Sequence, residues 1–341
     1  MSNLRIGIFG AGAIGGYLGV RFSAAGIPVT LIGRPALVEA ASGLKAFDLE
    51  GNSYAPSKTL RVSTDPAELA DCNVCLVTVK SSDTADAAKA IGPVLRQNVP
   101  VISLQNGLQN VSILRARLSQ PSLAGMVTFN VLHEQANTFR KTTSGPIYIG
   151  GGAIGLQPFV DLTATTAEPF AVHPQIEGIQ VAKLLLNLNN GLCAITGLTI
   201  AEALRNREFR RSFAACLNEG LEIVKQAGLP LVRIGSLSPG LVASVLTKPD
   251  WLFSMLAKPM MEIDPAARSS TLQDLDRGRL TEIDYLNGEI VRLAAKIEAK
   301  APINAFVTET VHALERSDRP LRFLKPEDVW ARIQQLGGAA G

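Results

Sequence analysis

The chain has 341 residues, 47% of them hydrophobic, 18% charged and 5% aromatic, with a formal net charge of +3. Folding a chain this long buries about 75% of the surface its unfolded form exposes, and the length corresponds to roughly two domains. Disorder is excluded by this composition, and a nucleic-acid footprint by so small and dispersed a charge.

Seven of the 30 glycines fall within the first 26 residues. Arg5 followed by the apolar stretch Ile6–Val20 and Ala24-Ala25 imitates a secretory signal, but six glycines in that stretch make a poor hydrophobic helix. No uninterrupted run of about 20 apolar residues is present, so no membrane span is expected and the protein reads as cytoplasmic. Strand patterns follow at Arg5–Phe9, Val29–Ile32, Val74–Val79, Val99–Leu104 and Met126–Val131. Amphipathic helical patterns lie between them at Ile14–Ala25, Ser82–Leu95 and Leu108–Leu118. This alternation predicts an α/β domain, a mainly parallel sheet with helices on both faces. An insertion at Phe47–Val62, turning at Gly51-Asn52, predicts a hairpin, and Pro146–Ile149 a closing strand.

Pro169–Gly178 reads as the inter-domain connection, dividing the chain into 1–172 and 173–335. Beyond it the pattern is helical: Gln180–Ile195, Arg207–Gln226, Gly240–Leu256, Thr271–Ala299 and Ala305–Arg316. The second half is expected to be all-helical, with Gly337–Gly341 frayed. Cys72-x-x-Cys75 matches a redox or zinc half-motif, yet Cys75 lies in an apolar strand run and no second ligand pair exists, so no metal is expected.

Gly10-Ala11-Gly12-Ala13-Ile14-Gly15 is a G-x-G-x-x-G between a strand and a helix. Gly10 permits the tight turn, Gly12 the close approach of a pyrophosphate, and Gly15 helix–strand packing, with the helix N-terminus facing the phosphates. At the end of the second strand, where an NAD enzyme is expected to carry Asp or Glu, Arg34 offers a guanidinium fork suited to the 2′-phosphate of NADP. Lys80 and Gln105-Asn106-Gly107 follow two further strands and face the same crevice. Lys80 is placed to reach the 2′-phosphate, and Asn106 to bond the nicotinamide ribose or substrate; a surface lysine and an Asn-Gly turn are the plainer readings.

Lys183 and Asn187 stand at i, i+4 with Asn190 at i+7, a polar stripe on a leucine-rich helix. Ser270 with Gln273 reads as a capping box, and Glu282 as either a solvated acid or a site residue. Taken together, Gly10-x-Gly12-x-x-Gly15, Lys80, Gln105-Asn106-Gly107, Lys183-x-x-x-Asn187, and Ser270-x-x-x-Asp274 with Thr281-Glu282-Ile283-Asp284-Tyr285 resemble the ketopantoate reductase family over almost the whole chain. The resemblance implies a Rossmann domain followed by a helical domain, with NADPH reducing the 2-keto group of ketopantoate. It implies Lys183 as general acid supported by Glu282, and Asn106, Asn187, Asn190, Ser270 and Asp274 around the substrate. Two positions depart from the family pattern: Val181 replaces a frequent aromatic, and Gly191 a frequent asparagine; Trp251–Ile263 is also longer. These departures leave open a reductase for another 2-keto acid, beside a non-catalytic NADP-binding sensor. A homodimer is the expected assembly, since helical C-terminal domains often pair.

Overall fold

Period-two alternation builds the N-terminal sheet. In β1 (Ile6–Phe9), Ile6 and Ile8 join the core on one face while Phe9 packs into the core on the other. In β6 (Val74–Val77), Val74 and Leu76 face the first core, and Cys75 and Val77 the second. A sheet with a core on each face needs helices on both sides, and the connections supply them. The computed structural model describes residues 4–135, 137–151, 156–166, 168–234, 238–257 and 267–337.

The remaining strands are β2 (Val29–Ile32), β3 (Lys45–Phe47), β4 (Ser53–Tyr54), β5 (Leu60–Ser63), β7 (Val101–Ser103), β8 (Ser122–Val127), β9 (Val131–Gln135), β10 (Thr138–Lys141), β11 (Ile147–Ile149) and β12 (Phe170–Val172). Eight form one sheet in the order β12-β11-β8-β7-β6-β1-β2-β5, parallel from β5 to β8, with β11 antiparallel to β8. The chain runs outward from β1 to β2 and β5, then returns to β6 on the other side of β1. The strand order therefore reverses between β1 and β6, where open α/β sheets bind their ligands.

The expected hairpin over Phe47–Val62 divides in two. Phe47 pairs with Ser53 across a turn at Gly51 (φ 87°), but β5 leaves to extend the main sheet beside β2. The strand predicted over Met126–Val131 also ends at Val127, and a separate pair, β9 and β10, completes a second sheet in the order β4-β3-β10-β9. Helix Ala13–Ala24 packs on it so closely that a Cβ at Gly16 would lie 2.1 Å from Phe139 Cζ. Beside this contact Glu168, 2% exposed, accepts from the Tyr17 hydroxyl at 2.5 Å and Lys141 Nζ at 2.9 Å, with Arg21 Nε at 3.5 Å. Burial and the neighbouring Glu168 push the Tyr17 hydroxyl well above its ordinary pKa.

Residue contacts divide the chain into Met1–Ile176 and Glu177–Gly341. In the second unit, helix Arg207–Gln226 is central, packing against Ile200–Arg205, Pro239–Leu246, Asn287–Lys296, Pro302–Glu315 and Pro326–Gly337. Several predicted helices are shorter than their apolar patterns. Gly240–Leu256 becomes Pro239–Leu246 and Asp250–Leu256, because Pro249 lacks an N–H and pushes Lys248 out of the helical region. Thr271–Ala299 breaks at Gly278 (φ 63°), giving helix Ser270–Asp276, a turn at Ile283–Tyr285 and helix Asn287–Lys296. Helix Pro326–Gly337 follows, and 338–341 lie outside the described residues, as do 258–263 of the lengthened stretch. No described helix is long and apolar enough to cross a membrane.

Glu168 is the carboxylate that two cations, Arg21 and Lys141, share at a buried position, so Glu168→Ala should cost about 3 kcal/mol in urea unfolding. An unchanged midpoint would show that the cluster adds nothing to stability.

Candidate active site

The glycine loop is shaped by close approach at two positions and by openness at a third. Gly10 has φ 111°, and a Cβ there would lie 2.5 Å from the Val79 amide nitrogen. A Cβ at Gly15 would collide with the Gly10 carbonyl and with Thr78 Oγ1, which itself donates to Gly10 O. The loop is thereby pinned to the residues that follow β6. Gly12, in contrast, is exposed, and a Cβ there would meet nothing nearer than the Thr78 carbonyl at 4.0 Å. It occupies the N-cap of helix Ala13–Ala24 with no side-chain cap, so the first N–H groups of Ala13, Ile14 and Gly15 have no acceptor within the helix. Ala11 touches Gly33 at the end of β2, and Arg34, the next residue, is exposed.

Lys80 and Asn106 are held by one buried amide–hydroxyl network joining the loops after β6 and β7. Ser103 Oγ donates to Gln105 Oε1 at 2.9 Å, and Gln105 Nε2 to Thr84 Oγ1 at 2.7 Å. Thr84 Oγ1 donates to Asn110 Oδ1 at 2.7 Å; Asn110 Nδ2 and Ser81 Oγ both reach the Asn106 carbonyl, at 2.6 and 2.9 Å. The Lys80 carbonyl accepts from Gln105 Nε2 at 3.4 Å. Sequence reasoning missed Ser81, Thr84 and Asn110, although polar residues at apolar-periodic positions are a readable signal.

In the second unit, Lys183 lies on helix Ile176–Leu186 among buried Ile179, Val181, Ala182, Leu184 and Leu185, and is itself 9% exposed. Desolvation lowers its pKa to about 8. The predicted single helix Gln180–Ile195 is interrupted. Asn187 N bonds both Lys183 O and Leu184 O, Asn190 N bonds Asn187 O, and a new helix starts at Asn189. The tightened turn keeps Asn187 one turn above Lys183 and brings Asn190 Nδ2 to 3.4 Å from Ser270 Oγ. The cap expected at Ser270 belongs to Ser269, whose Oγ accepts from Leu272 N at 3.3 Å and also donates to Asn190 O. Ser270 is thus exposed and has no capping duty. The Asp274 carbonyl accepts from Arg279 N at 2.9 Å, closing that helix. Glu282 is half-buried and opens the Ile283–Tyr285 turn.

The four cysteines are free and buried; burial pushes the Cys72 thiol up to about 12 and raises Cys75 also, so neither is a ready nucleophile. Among the described residues there is no cluster of metal-ligating side chains.

The family model for ketopantoate reductase PanE/ApbA matches residues 6–153, and the model for its C-terminal part matches 175–315. The crystal structure of a PanE/ApbA family ketopantoate reductase from Ralstonia eutropha JMP134 is 30% identical, with a TM-score of 0.78, over 92% of this chain and 98% of that one. The chain belongs to the ketopantoate reductase family. It is therefore an oxidoreductase. A 2-dehydropantoate 2-reductase of Pyrococcus horikoshii is 27% identical over 318 residues, 92% of this chain and 98% of its own length. The ternary structure of D-mandelate dehydrogenase with NADH and anilino(oxo)acetate shares the fold, at 23% identity and a TM-score of 0.75, over 92% of this chain and 98% of that one.

The contrast within the glycine loop predicts opposite outcomes for one added methyl. Gly10→Ala should destabilise by about 2 kcal/mol or more, from strained φ and a backbone clash, while Gly12→Ala should stay within about 0.5 kcal/mol of wild type. Equal shifts in thermal or urea unfolding would contradict this assignment of roles.

Proposed function

We propose that this chain reduces the 2-keto group of 2-dehydropantoate (ketopantoate) to give pantoate, using NADPH, as a step of pantothenate biosynthesis. The observation that carries the reading is Lys183: a lysine with its pKa brought to about 8 by burial, one turn before Asn187, on a stretch of chain whose next polar residue, Asn190, pairs with Ser270. The glycine loop fits a dinucleotide, since Gly12 leaves open the space that a side chain would fill, above uncapped helix N–H groups. Exposed Arg34 suits the 2′-phosphate, with Lys80 as a second cation. The bound nicotinamide supplies the hydride.

As negative charge develops on the keto oxygen, the Lys183 ammonium stabilises it and then donates its Nζ proton. A pKa near the working pH makes that donation easier than for an ordinary lysine. Glu282 fixes the ammonium's position, because orientation of the acid matters as much as its charge. Asn106, Asn187, Asn190 and Ser270 act as neutral donors for the substrate's carboxylate and hydroxyl, with Asp274 at the edge of that set.

A second reading, a reductase for another 2-keto acid, is favoured by one observation. A Cβ at Gly191 would lie within 3 Å of Val307, Ile283 and the Asn287 carboxamide, so the asparagine frequent in relatives has no room here. The pocket wall must be built differently, and D-mandelate dehydrogenase is among the structures this chain resembles.

A panel of 2-keto acids assayed with NADPH and NADH tests both readings: ketopantoate with NADPH should give the highest kcat/KM, and preference for an aromatic keto acid would favour the second. Arg34→Ala should weaken NADPH and leave NADH unaffected. Lys183→Ala should lower kcat by about 10²- to 10⁴-fold. The acid must be protonated, so kcat for reduction should fall about tenfold per pH unit above about 8, while the oxidative direction, which needs the neutral amine, should rise up to about 8 and level off above it. Normal turnover by Lys183→Ala would sink the mechanism.

A further inference from the structure

His312 lies in the last turn of helix Pro302–Glu315, its two ring nitrogens both facing carboxylates. Nδ1 is 2.8 Å from Glu315 Oε2, and Nε2 is 2.9 Å from Asp284 Oδ1. Glu315 turns its other oxygen to the Thr281 backbone N–H, which donates at 2.7 Å. Thr281 Oγ1 in turn accepts from Ile283 N at 3.2 Å. The segment Thr281-Glu282-Ile283-Asp284 is therefore tied at both ends to one imidazole–carboxylate group, through Glu315 at Thr281 and through His312 at Asp284. Glu282 sits between the ties.

The geometry points to His312 as a positioning residue that holds the Glu282 segment in place only while its imidazole carries both protons. A neutral imidazole has one N–H and one lone pair, so it can donate to one carboxylate only; the imidazolium donates to both. Loss of the proton sets a lone pair against a carboxylate oxygen at hydrogen-bond distance. Glu315 is 7% exposed and Asp284 65%, so the surviving bond stays with Glu315, and the Asp284 end, free to take water, lets go.

Of the elements packed against this helix, the Ile283–Tyr285 turn contributes Asp284, and the helix itself Glu315. The helices Asn189–Thr196, Arg207–Gln226, Asn287–Lys296 and Pro326–Gly337 place no charged group on the ring among the described residues. Burial pulls the His312 pKa down, but the hydrogen bonds and charges of Glu315 and Asp284 outweigh it and leave the pKa raised. The sign follows: the tie is complete below the unfolded imidazole's pKa of about 6.5 and is lost as pH rises through the higher folded value.

This inference rests on the part given to Glu282 above, so the test has an arm independent of activity. In the full-length protein, hydrogen exchange of the 281–285 amides, corrected for intrinsic rates, should lose protection as pH rises through the His312 ionisation followed by NMR. His312→Gln should show low protection at every pH. The ratio of wild-type to His312→Gln kcat should be about 10 or more at low pH, the kinetic equivalent of one charge-assisted hydrogen bond, and approach 1 above that ionisation. Both proteins share the Lys183 ionisation, so the ratio cancels it, and KM for NADPH should not move. Asp284→Ala, which leaves Nε2 with no side-chain partner in either protonation state, should reproduce these effects with the helix untouched, and decides the matter if His312→Gln does not fold. A ratio independent of pH, or wild-type protection that does not change across the ionisation, overturns the proposal. If no 2-keto acid turns over, the functional assignment falls and the exchange measurement alone decides the tie.

Discussion

A lysine buried on a leucine-rich helix is the constraint on which the rest of the second unit depends. Burying Lys183 disfavours its charge, which is why its pKa drops to about 8 and why it is suited to give up a proton. The burial requires close helix packing. Gly220 lets helix Arg207–Gln226 come within contact of Leu185 and Leu188, and a Cβ there would lie 2.8 Å from Leu185. The Leu188 carbonyl accepts from Asn287 Nδ2, and Asn304 receives the next link before passing to Cys216 O and Glu219. Asn287 and Asn304 are wholly buried, so this relay orders the core around the lysine-bearing helix.

The first unit solves the opposite problem, making backbone donors available rather than hiding a charge. Gly10 and Gly15 remove side chains where the protein must touch itself, and Gly12 removes one where it need not. Only the last leaves a space that the chain itself does not fill. Helix Ala13–Ala24 is rigidly seated, by Gly16 against Phe139 and by Tyr17 and Arg21 against Glu168. Its N-terminus therefore presents its N–H groups in a fixed direction, as electrostatic binding without reorganisation requires.

Much of this was legible from local pattern. Alternation along β1 and β6, the glycine spacing and the i, i+4 pair Lys183–Asn187 obey rules confined to a few neighbouring residues. What escaped reading depends on contacts between distant ones. Ser269 and Ser270 are equally able to cap a helix, and Ser269 takes the position while its hydroxyl also reaches the Asn190 carbonyl, 79 residues away. The departure of β5 from its expected hairpin reflects pairing with β2, and β9–β10 form where strand residues meet a helix face opened by Gly16. The glycine at 191 reads as a missing side chain in sequence; in the fold it is a close crossing beside Val307 and Asn287.

The central claim is that burial lowers the Lys183 pKa into the working range, and it can be measured without any substrate. Protein carrying isotopically labelled lysine, titrated by NMR with Lys183→Arg to assign the resonance, should show one side chain with a midpoint near 8. A Lys183 midpoint at the ordinary value of about 10.4 would contradict the account.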